Sequence, residues 1–360
     1  MIRVKILFTL GALGHGGGER VVSILANQLA NEGHQVEIML YYDREIWYPL
    51  DEKVKVVAEQ KEIGNKGILS HLAFKRKYVK ANNFDVVISF LAPFNMLNIV
   101  CLFGLKTPLI VADRNDPRRI PSNKLVRYAR DFLYRFADSV VLQTKANQAY
   151  FCKSVQAKST VIYNPIDLGE ATGIGLTAQK SKRMVSVGRL IRQKNQDMML
   201  EAFCKFQQNH PDYRLTIYGE GDYRPNLEQK IIELGLEESA ELPGGIKDVP
   251  SHIKDAEFFV LSSDYEGMPN ALMEAMCVGL PVISTAVSGA TDLIIPEQNG
   301  LLVDCDDTEG LAAAMERMAS DSELRQKTAQ NARKLADELT TNKITAQWIQ
   351  YIEQVIKKHG

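Results

Sequence analysis

No apolar stretch in these 360 residues reaches the ~18 that a membrane-crossing helix requires, which points to a protein that is soluble or lies on a membrane surface. Cysteine is scarce. The five residues at 101, 152, 204, 277 and 305 are odd in number and never form a C-x-x-C pair. That excludes a disulfide framework and a thiolate zinc site, points to a reducing compartment, and leaves each Cys as a small buried hydrophobe. No G-x-x-x-x-G-K-[ST] occurs, so there is no P-loop. The glycines of "TLGALGHGGGERVV" approach the dinucleotide pattern, but that pattern needs Gly at 19, where Glu19 stands. A nicotinamide cofactor is therefore disfavoured. The amino-terminal "MIRVKILFTLG" sets two cations before an apolar run, as a signal peptide does. No A-x-A-like cleavage site follows, so the run is read as a first buried strand.

What the chain does have is an alternation. Short apolar runs at 4–10, 35–40, 85–90, 108–113, 139–144 and 159–164 read as strands, with helical patterns between them. A polar, Gly-bearing stretch near 165–180 interrupts the series. It resumes at 183–188, 213–219, 256–263, 280–285 and 300–304. Continuous apolar strands separated by helices mean parallel sheets covered on both faces. The expected class is α/β, with two doubly wound Rossmann-like domains, 1–165 and 166–339. A final amphipathic helix at 340–360 carries Ile344, Trp348, Ile349, Ile352 and Ile356, and could cap either domain. Residues 1–168 hold 23 Lys and Arg against 15 Asp and Glu, and the remainder 20 against 29. A net charge of −1 thus hides a basic half and an acidic half. The basic half would favour an anionic partner such as a membrane surface, and no nucleic acid is expected.

In doubly wound sheets, ligands bind at the carboxyl ends of the strands. One such end is "SDYEGMPNALMEAMCVGLPVIS". Gly267 and Pro269 keep Glu266 in a loop, and Pro269 and Asn270 suit the first turn of a helix that stops at Gly279. Glu274 then lies about one turn in. The unbonded N–H groups of Asn270, Ala271 and Leu272 would form an anion site. Two acids beside an anion make sense if they accept hydroxyl hydrogens, as from a sugar; the alternative is a loop acid and a helix acid with no joint role. "VSVGRLIRQKNQD" adds Gly188, Arg189 and Lys194 at another strand end. Two cations there would stabilise the charge on a departing diphosphate, whereas the bland reading is a solvated basic loop, which suits Arg192. "DCD" at 304–306 matches the D-x-D that holds a divalent cation in some sugar transferases. Asp306 and Asp307 read better as caps of the helix that follows, so no metal and no cofactor are expected.

Taken together, "GRLIRQKN", "YGEGDYR", "EGMPNALMEAMCVGLPVIST", "NGLLVDCDD" and the opening "GHGGGERVVSILANQLANEGHQV" resemble the retaining nucleotide-sugar glycosyltransferases of family 4, over nearly the whole chain. The resemblance implies the GT-B fold, with two domains facing across a cleft and a last helix that crosses back to the first domain. It implies that Arg189 and Lys194 grip the donor diphosphate and that Glu266 contacts the transferred sugar. Glu274 would accept the ribose hydroxyls, and the N–H groups of 270–272 would hold the distal phosphate. Gly16 and Gly17 would complete the site from the first domain. Gly188 and Gly219 close the ends of their strands, and "LPGGIKDV", with Gly244 and Ile246, would carry the nucleobase.

The chain departs from the family in one respect. Many members have a His after the strand matching "PLIVAD"; here Arg114 stands there, which suggests an anionic acceptor. The basic, aromatic segments 71–80 and 118–136 suit a membrane interface, or are ordinary amphipathic helices with solvated faces. The implied function is transfer of a hexose or N-acetylhexosamine from a nucleotide-diphosphate sugar, of which a UDP-sugar is preferred. The acceptor would be a saccharide, plausibly lipid-linked, and the site of action cytoplasmic or peripheral at the inner face of the cell membrane. The rivals are a GT-B sugar-nucleotide epimerase, a catalytically silent partner subunit and, more distantly, a nicotinamide-dependent dehydrogenase.

Overall fold

A computed structural model describes residues 3–14, 16–166, 168 and 171–359. His15 of the Gly-rich loop, and Asp167, Gly169 and Glu170 of the expected linker, lie outside the described residues. The chain forms two compact units. One is Met1–Pro165 with Thr340–Gly360, and the other is Ile166–Leu339.

The first unit holds a parallel sheet of seven strands: β1 (Lys5–Leu10), β2 (Gln35–Leu40), β3 (Lys55–Ala58), β4 (Val86–Phe90), β5 (Leu109–Ala112), β6 (Ser139–Leu142) and β7 (Ser159–Val161). Their spatial order is β3-β2-β1-β4-β5-β6-β7. The second unit holds β8 (Arg183–Val187), β9 (Arg214–Tyr218), β10 (Ala240–Gly244), β11 (Phe258–Leu261), β12 (Val282–Thr285) and β13 (Leu301–Val303), in the order β10-β9-β8-β11-β12-β13. Both orders reverse beside the first strand of the unit, between β1 and β4 and between β8 and β11. Such reversals open a crevice at the carboxyl edge of a sheet.

The central strands are apolar on both faces because helices cover both. Phe8 in β1 pairs in register with Ile38 of β2 and Ile88 of β4, and all three are buried. β3 and β10 escaped the apolar-run reading for one reason: each is the edge strand on its side. An edge strand is half-buried and tolerates Lys55 or Pro243, since it need not donate on its open side.

The final helix, Thr341–His359, belongs to the first unit. It packs against the helix Gly17–Asn31 and stacks Trp348 on Phe90 with ring centroids 6.0 Å apart. Val355, rather than Ile356, completes its buried stripe. Part of the expected linker is packed structure. The short helix Ile174–Thr177 lies against the helix Asn270–Val278, with Gly173 N donating to Cys277 O at 3.2 Å. A Cβ on Gly175 would come 2.9 Å from Val278 O, so only Gly fits there. The cysteines divide: Cys101 and Cys277 are buried, whereas Cys152 and Cys305 are exposed and so depart from the reading as core hydrophobes.

Candidate functional site

The carboxyl edge of the second sheet is built where three strand ends meet. Gly188 N donates to Tyr218 O at 2.9 Å, and Gly219 N donates to Gly244 O at 2.8 Å, lacing β8, β9 and β10 together. The close approach demands glycine. Gly219 sits at φ 152°, and a Cβ on it would overlap Gly188 O. A Cβ on Gly221 would overlap Leu190 O in the same way. Gly244 is buried at φ 103°, with the Glu220 carboxylate above it, held by Arg224 through bonds of 2.7 and 2.9 Å. Ile246 is half-buried in the loop that follows.

Beside these glycines, two loops zip together. Asp264 N donates to Gln193 O at 2.9 Å, and Gln193 Nε2 to Tyr265 O at 2.8 Å. Ser262 Oγ donates to Lys194 O at 2.8 Å, and Asn195 Nδ2 to Asp264 Oδ1 at 2.7 Å. Asn195 adopts a left-handed φ of 46°, which turns the chain from the 3-10 turn Arg192–Lys194 into the helix Gln196–Gln207. The result is that Lys194 Nζ forms an ion pair with Glu266 Oε1. Glu266 is only 8% exposed, and its Oε1 also accepts from Ser263 Oγ at 2.8 Å. Ser263 is itself held by Thr285, whose Oγ1 donates to Ser263 O at 2.7 Å. The Lys194 stem lies over Gly188, 3.3 Å from where a Cβ would be.

Glu266 thus sits in the loop after β11, as expected, and the helix Asn270–Val278 follows. Pro269 is its N-cap rather than a residue of its first turn, and the helix ends at Gly279 with φ 91°. Met273 N donates to Pro269 O at 3.1 Å, so the N–H groups of Asn270, Ala271 and Leu272 have no acceptor within the helix. Glu274 is 2% exposed. Burial, followed by this neighbouring acid, pushes the Cys277 thiol up to about 12.

Arg189 stands apart. It is exposed at the end of β8, its carbonyl tied to Gln196 Nε2 at 3.0 Å, and among the described residues its guanidinium has no ion-pair or hydrogen-bond partner. One side of this edge is therefore a matched pair of charges, and the other a cation with nothing to neutralise it. Such an edge can accept an anion through Arg189, Lys194 and helix N–H groups, and hydroxyls through the two carboxylates.

Sequence reading missed the supports: Gln193, Asn195, Ser263, Gly221 and Gly289. A Cβ on Gly289 would lie 2.7 Å from Gly267 O and would overlap Pro269 Cδ, so this glycine lets the helix Ser288–Leu293 brace the loop before Asn270. Its "VSGA" context has no local signal, because the need arises from a residue 20 positions away. The "DCD" reading holds in part. Asp307 caps the helix Thr308–Ser320, accepting from Gly310 N at 2.8 Å, whereas Asp306 lies before the helix at φ 61° and accepts from Asn195 Nδ2 at 3.0 Å. No group of three or more potential metal ligands occurs among the described residues.

In the first unit, Gly16 is the N-cap of the helix Gly17–Asn31, and the carboxyl carbon of Glu19 lies 2.7 Å from where a Gly16 Cβ would be. The residue three places on thus folds back over the helix start, as in a capping box. Gly18 packs against Leu91, a non-glycine residue at φ 72°, and against the stem of Arg114. Arg114, expected on the acceptor side, is buried. Its guanidinium is buried between the rings of Phe90 (5.1 Å) and Trp348 (5.4 Å), with Nη1 donating to Ile162 O and Asn164 Oδ1, both at 3.2 Å. Burial depresses its pKa to about 9, with Asp113 opposing. That leaves a buried staple between strand ends and the last helix, the Arg114 Nε and Nη2 having no hydrogen-bond partner among the described residues.

In the basic segment 71–80, Lys77 and Lys80 are exposed but other polar groups are turned inward. His71 and Lys75 are buried against Glu59 at 3.0 Å each, and Arg76 Nη1 donates to Cys101 O at 2.6 Å. No helix among the described residues is long and apolar enough to cross a membrane.

The family description "Glycosyltransferase Family 4" matches residues 15–170, and "Glycosyl transferases group 1" matches 172–335. Over 98% of its length the chain is 30% identical to 99% of the Campylobacter jejuni GalNAc-alpha-(1->4)-GalNAc-alpha-(1->3)-diNAcBac-PP-undecaprenol alpha-1,4-N-acetyl-D-galactosaminyltransferase. Over 97% it is 29% identical to 99% of a second enzyme of that organism, the N-acetylgalactosamine-N,N'-diacetylbacillosaminyl-diphospho-undecaprenol 4-alpha-N-acetylgalactosaminyltransferase. The crystal structure of Anabaena Alr3699/HepE in complex with UDP and glucose superposes with a TM-score of 0.82 at 21% identity, covering 98% of this chain and all of that one. With two parallel-sheet units, a laced glycine edge and a Glu266 to Glu274 element on one helix start, the chain belongs to the family 4 glycosyltransferases of the GT-B fold.

Proposed function

We propose that this glycosyltransferase moves a hexose or N-acetylhexosamine from a UDP-sugar to a lipid-linked saccharide, with retention of anomeric configuration and without a divalent metal. It would work at the inner face of the cell membrane. The observation that carries the reading is the Lys194–Glu266 ion pair on the strand-end loops, next to the start of the helix Asn270–Val278. These loops also carry Arg189, whose guanidinium has no ion-pair or hydrogen-bond partner among the described residues. As the sugar–phosphate bond breaks, negative charge grows on the diphosphate. Arg189 and Lys194 meet that charge without reorganising, and the helix start holds the distal phosphate. Glu266, anchored by Ser263, would accept from a sugar hydroxyl, and Glu274 from the ribose. The acceptor hydroxyl attacks on the face the diphosphate leaves, giving its proton to a departing phosphate oxygen.

The Campylobacter relatives, named for N-acetylgalactosaminyl transfer to diphospho-undecaprenol saccharides, support the donor sugar and the lipid-linked acceptor. The Anabaena neighbour with UDP and glucose supports the nucleotide. The test is a panel of UDP-, GDP- and ADP-sugars scored for binding and slow hydrolysis, with and without EDTA. UDP-sugars should bind best and EDTA should change nothing. Preference for a GDP-sugar, loss of turnover in EDTA, or inversion at the anomeric carbon by NMR would each remove a part of the reading. Donor turnover to a C2 epimer, with no acceptor present, would favour an epimerase.

A further inference from the structure

The helix Lys124–Leu133 is inside out. Its buried residue is a cation, Arg130, at 0% exposure, while Leu125, Tyr128 and Phe132 are 75%, 69% and 55% exposed. These three follow i, i+3, i+7 spacing and form one outward stripe. The inversion is firmly held. Arg130 Nη2 donates to Pro117 O at 2.8 Å and to Asp131 Oδ1 at 2.7 Å, and its guanidinium packs over Phe151 at 5.3 Å and Tyr150 at 5.5 Å. Asn123 caps the helix, its Oδ1 accepting from Leu125 N at 2.8 Å. With the polar side locked inward, the apolar side must face out.

The stripe continues into a surface cluster. Phe132 stacks edge-on against Phe136 at 5.2 Å, and Phe136 against Phe103 at 6.1 Å, each ring roughly half exposed or more. Arg135 lies over Phe132 at 6.0 Å. Of the six Lys and Arg in residues 117–136, Arg118, Arg119, Lys124 and Arg135 are exposed, while Arg130 is enclosed and paired with Asp131, the single acid of the stretch; Arg118 also lies 3.6 Å from Asp116. An apolar, aromatic face rimmed by cations repels a second copy of itself and attracts an anionic bilayer, where the rings sit among head groups and the cations meet lipid phosphates.

We propose that this face, the stripe Leu125–Tyr128–Phe132 with Phe136 and Phe103, docks the enzyme on an anionic lipid surface. This rests on the reading that the acceptor is lipid-linked, and it supplies the partner of the first unit. Docking of this kind would confine the enzyme to the plane in which such an acceptor diffuses.

Flotation of the full chain with phosphatidylcholine vesicles, with or without phosphatidylglycerol, tests it. The wild type should float with the anionic vesicles at low salt, weakly with neutral ones, and release as salt rises. The triple variant L125S/Y128S/F132S should float at least ~10-fold less, since three exposed apolar side chains no longer insert. Because each of these side chains is more than half exposed, its thermal unfolding should stay close to that of the wild type, and its hydrolysis of a UDP-sugar in solution should match it. K124E/R135E should lose the anionic preference alone. The proposal falls if the wild type fails to float, or if the triple variant floats as well as the wild type. It also falls if sedimentation shows a wild-type dimer that the triple variant splits, which would make the face an interface between copies. Absence of donor hydrolysis in a wild type that floats normally would count against the catalytic reading and leave the docking intact.

Discussion

The carboxyl edges of the two sheets have the same frame and opposite finishes. In each unit the strand order reverses beside the first strand, and a glycine follows that strand directly, Gly11 after β1 and Gly188 after β8. In the second unit the turn after β8 keeps its cations available: Arg189 is unpaired, and Lys194 is held ready by Glu266. In the first unit the protein has covered its own groups over. Glu19 folds over the start of the first helix, and Arg114 is buried between two rings. One scaffold thus yields a charged, receptive edge and an enclosed one. What decides between them is whether the local cation has a carboxylate and a solvent path, or an aromatic sandwich.

The largest expected effect would break the enclosed edge. Trp348→Ala removes one ring from the Arg114 sandwich and opens a cavity under the last helix. It should lower stability by about 3–5 kcal/mol, read as a shift in denaturant midpoint. A change under about 1 kcal/mol would mean that the helix is not the clamp it appears from its packing.

Next is the receptive edge. Lys194→Ala removes a charged hydrogen-bonding group of about 1.5–3 kcal/mol and should slow nucleotide release by roughly 10²-fold, with the circular dichroism spectrum unchanged. Turnover like the wild type would reject the diphosphate clamp.

A glycine pair sharpens the contrast. Gly219→Ala forces a Cβ onto Gly188 O and should cost about 1–3 kcal/mol while weakening UDP-sugar binding. Gly14→Ala, with nothing within 4 Å of its added carbon, should leave both unchanged. Equal effects at the two positions would erase the distinction.

The smallest effect concerns His34 in the first unit. Its Nδ1 accepts from Val4 N at 3.2 Å, and burial lowers its pKa below the usual 6.5. The fold therefore favours neutral His34, and the unfolded chain binds more protons once pH drops below about 6.5. Stability from this group is full above that pH and is lost as pH falls. His34→Gln should flatten the acid slope of the melting temperature between pH 7 and 5, and an unaltered slope would assign it to other groups.

Much of this was legible in the residues. The central strands were, because burial on both faces forces continuous apolar runs. So were Glu266 at a loop and Glu274 in a helix, because Gly267, Pro269 and Gly279 leave few backbone choices. β3 and β10 were not, since an edge strand needs only half its residues apolar. Nor was Gly289, whose need for a missing Cβ comes from Pro269 across the fold. The burial of Arg114 and of Lys75 was not legible for a related reason. A cation's charge can be read in sequence, but its solvent exposure depends on which rings and carboxylates tertiary packing brings to it.

By itself, then, the order of residues determined the two parallel sheets, the turns that break them and the types of group available at their ends. These follow from backbone sterics and from the period of apolar side chains, both local. Only the tertiary structure decided which cations remain available: Arg189 open, Lys194 matched to Glu266, and Arg114 and Arg130 enclosed. Desolvation and pairing depend on neighbours dozens of residues distant, and those neighbours meet only when the sheets have formed.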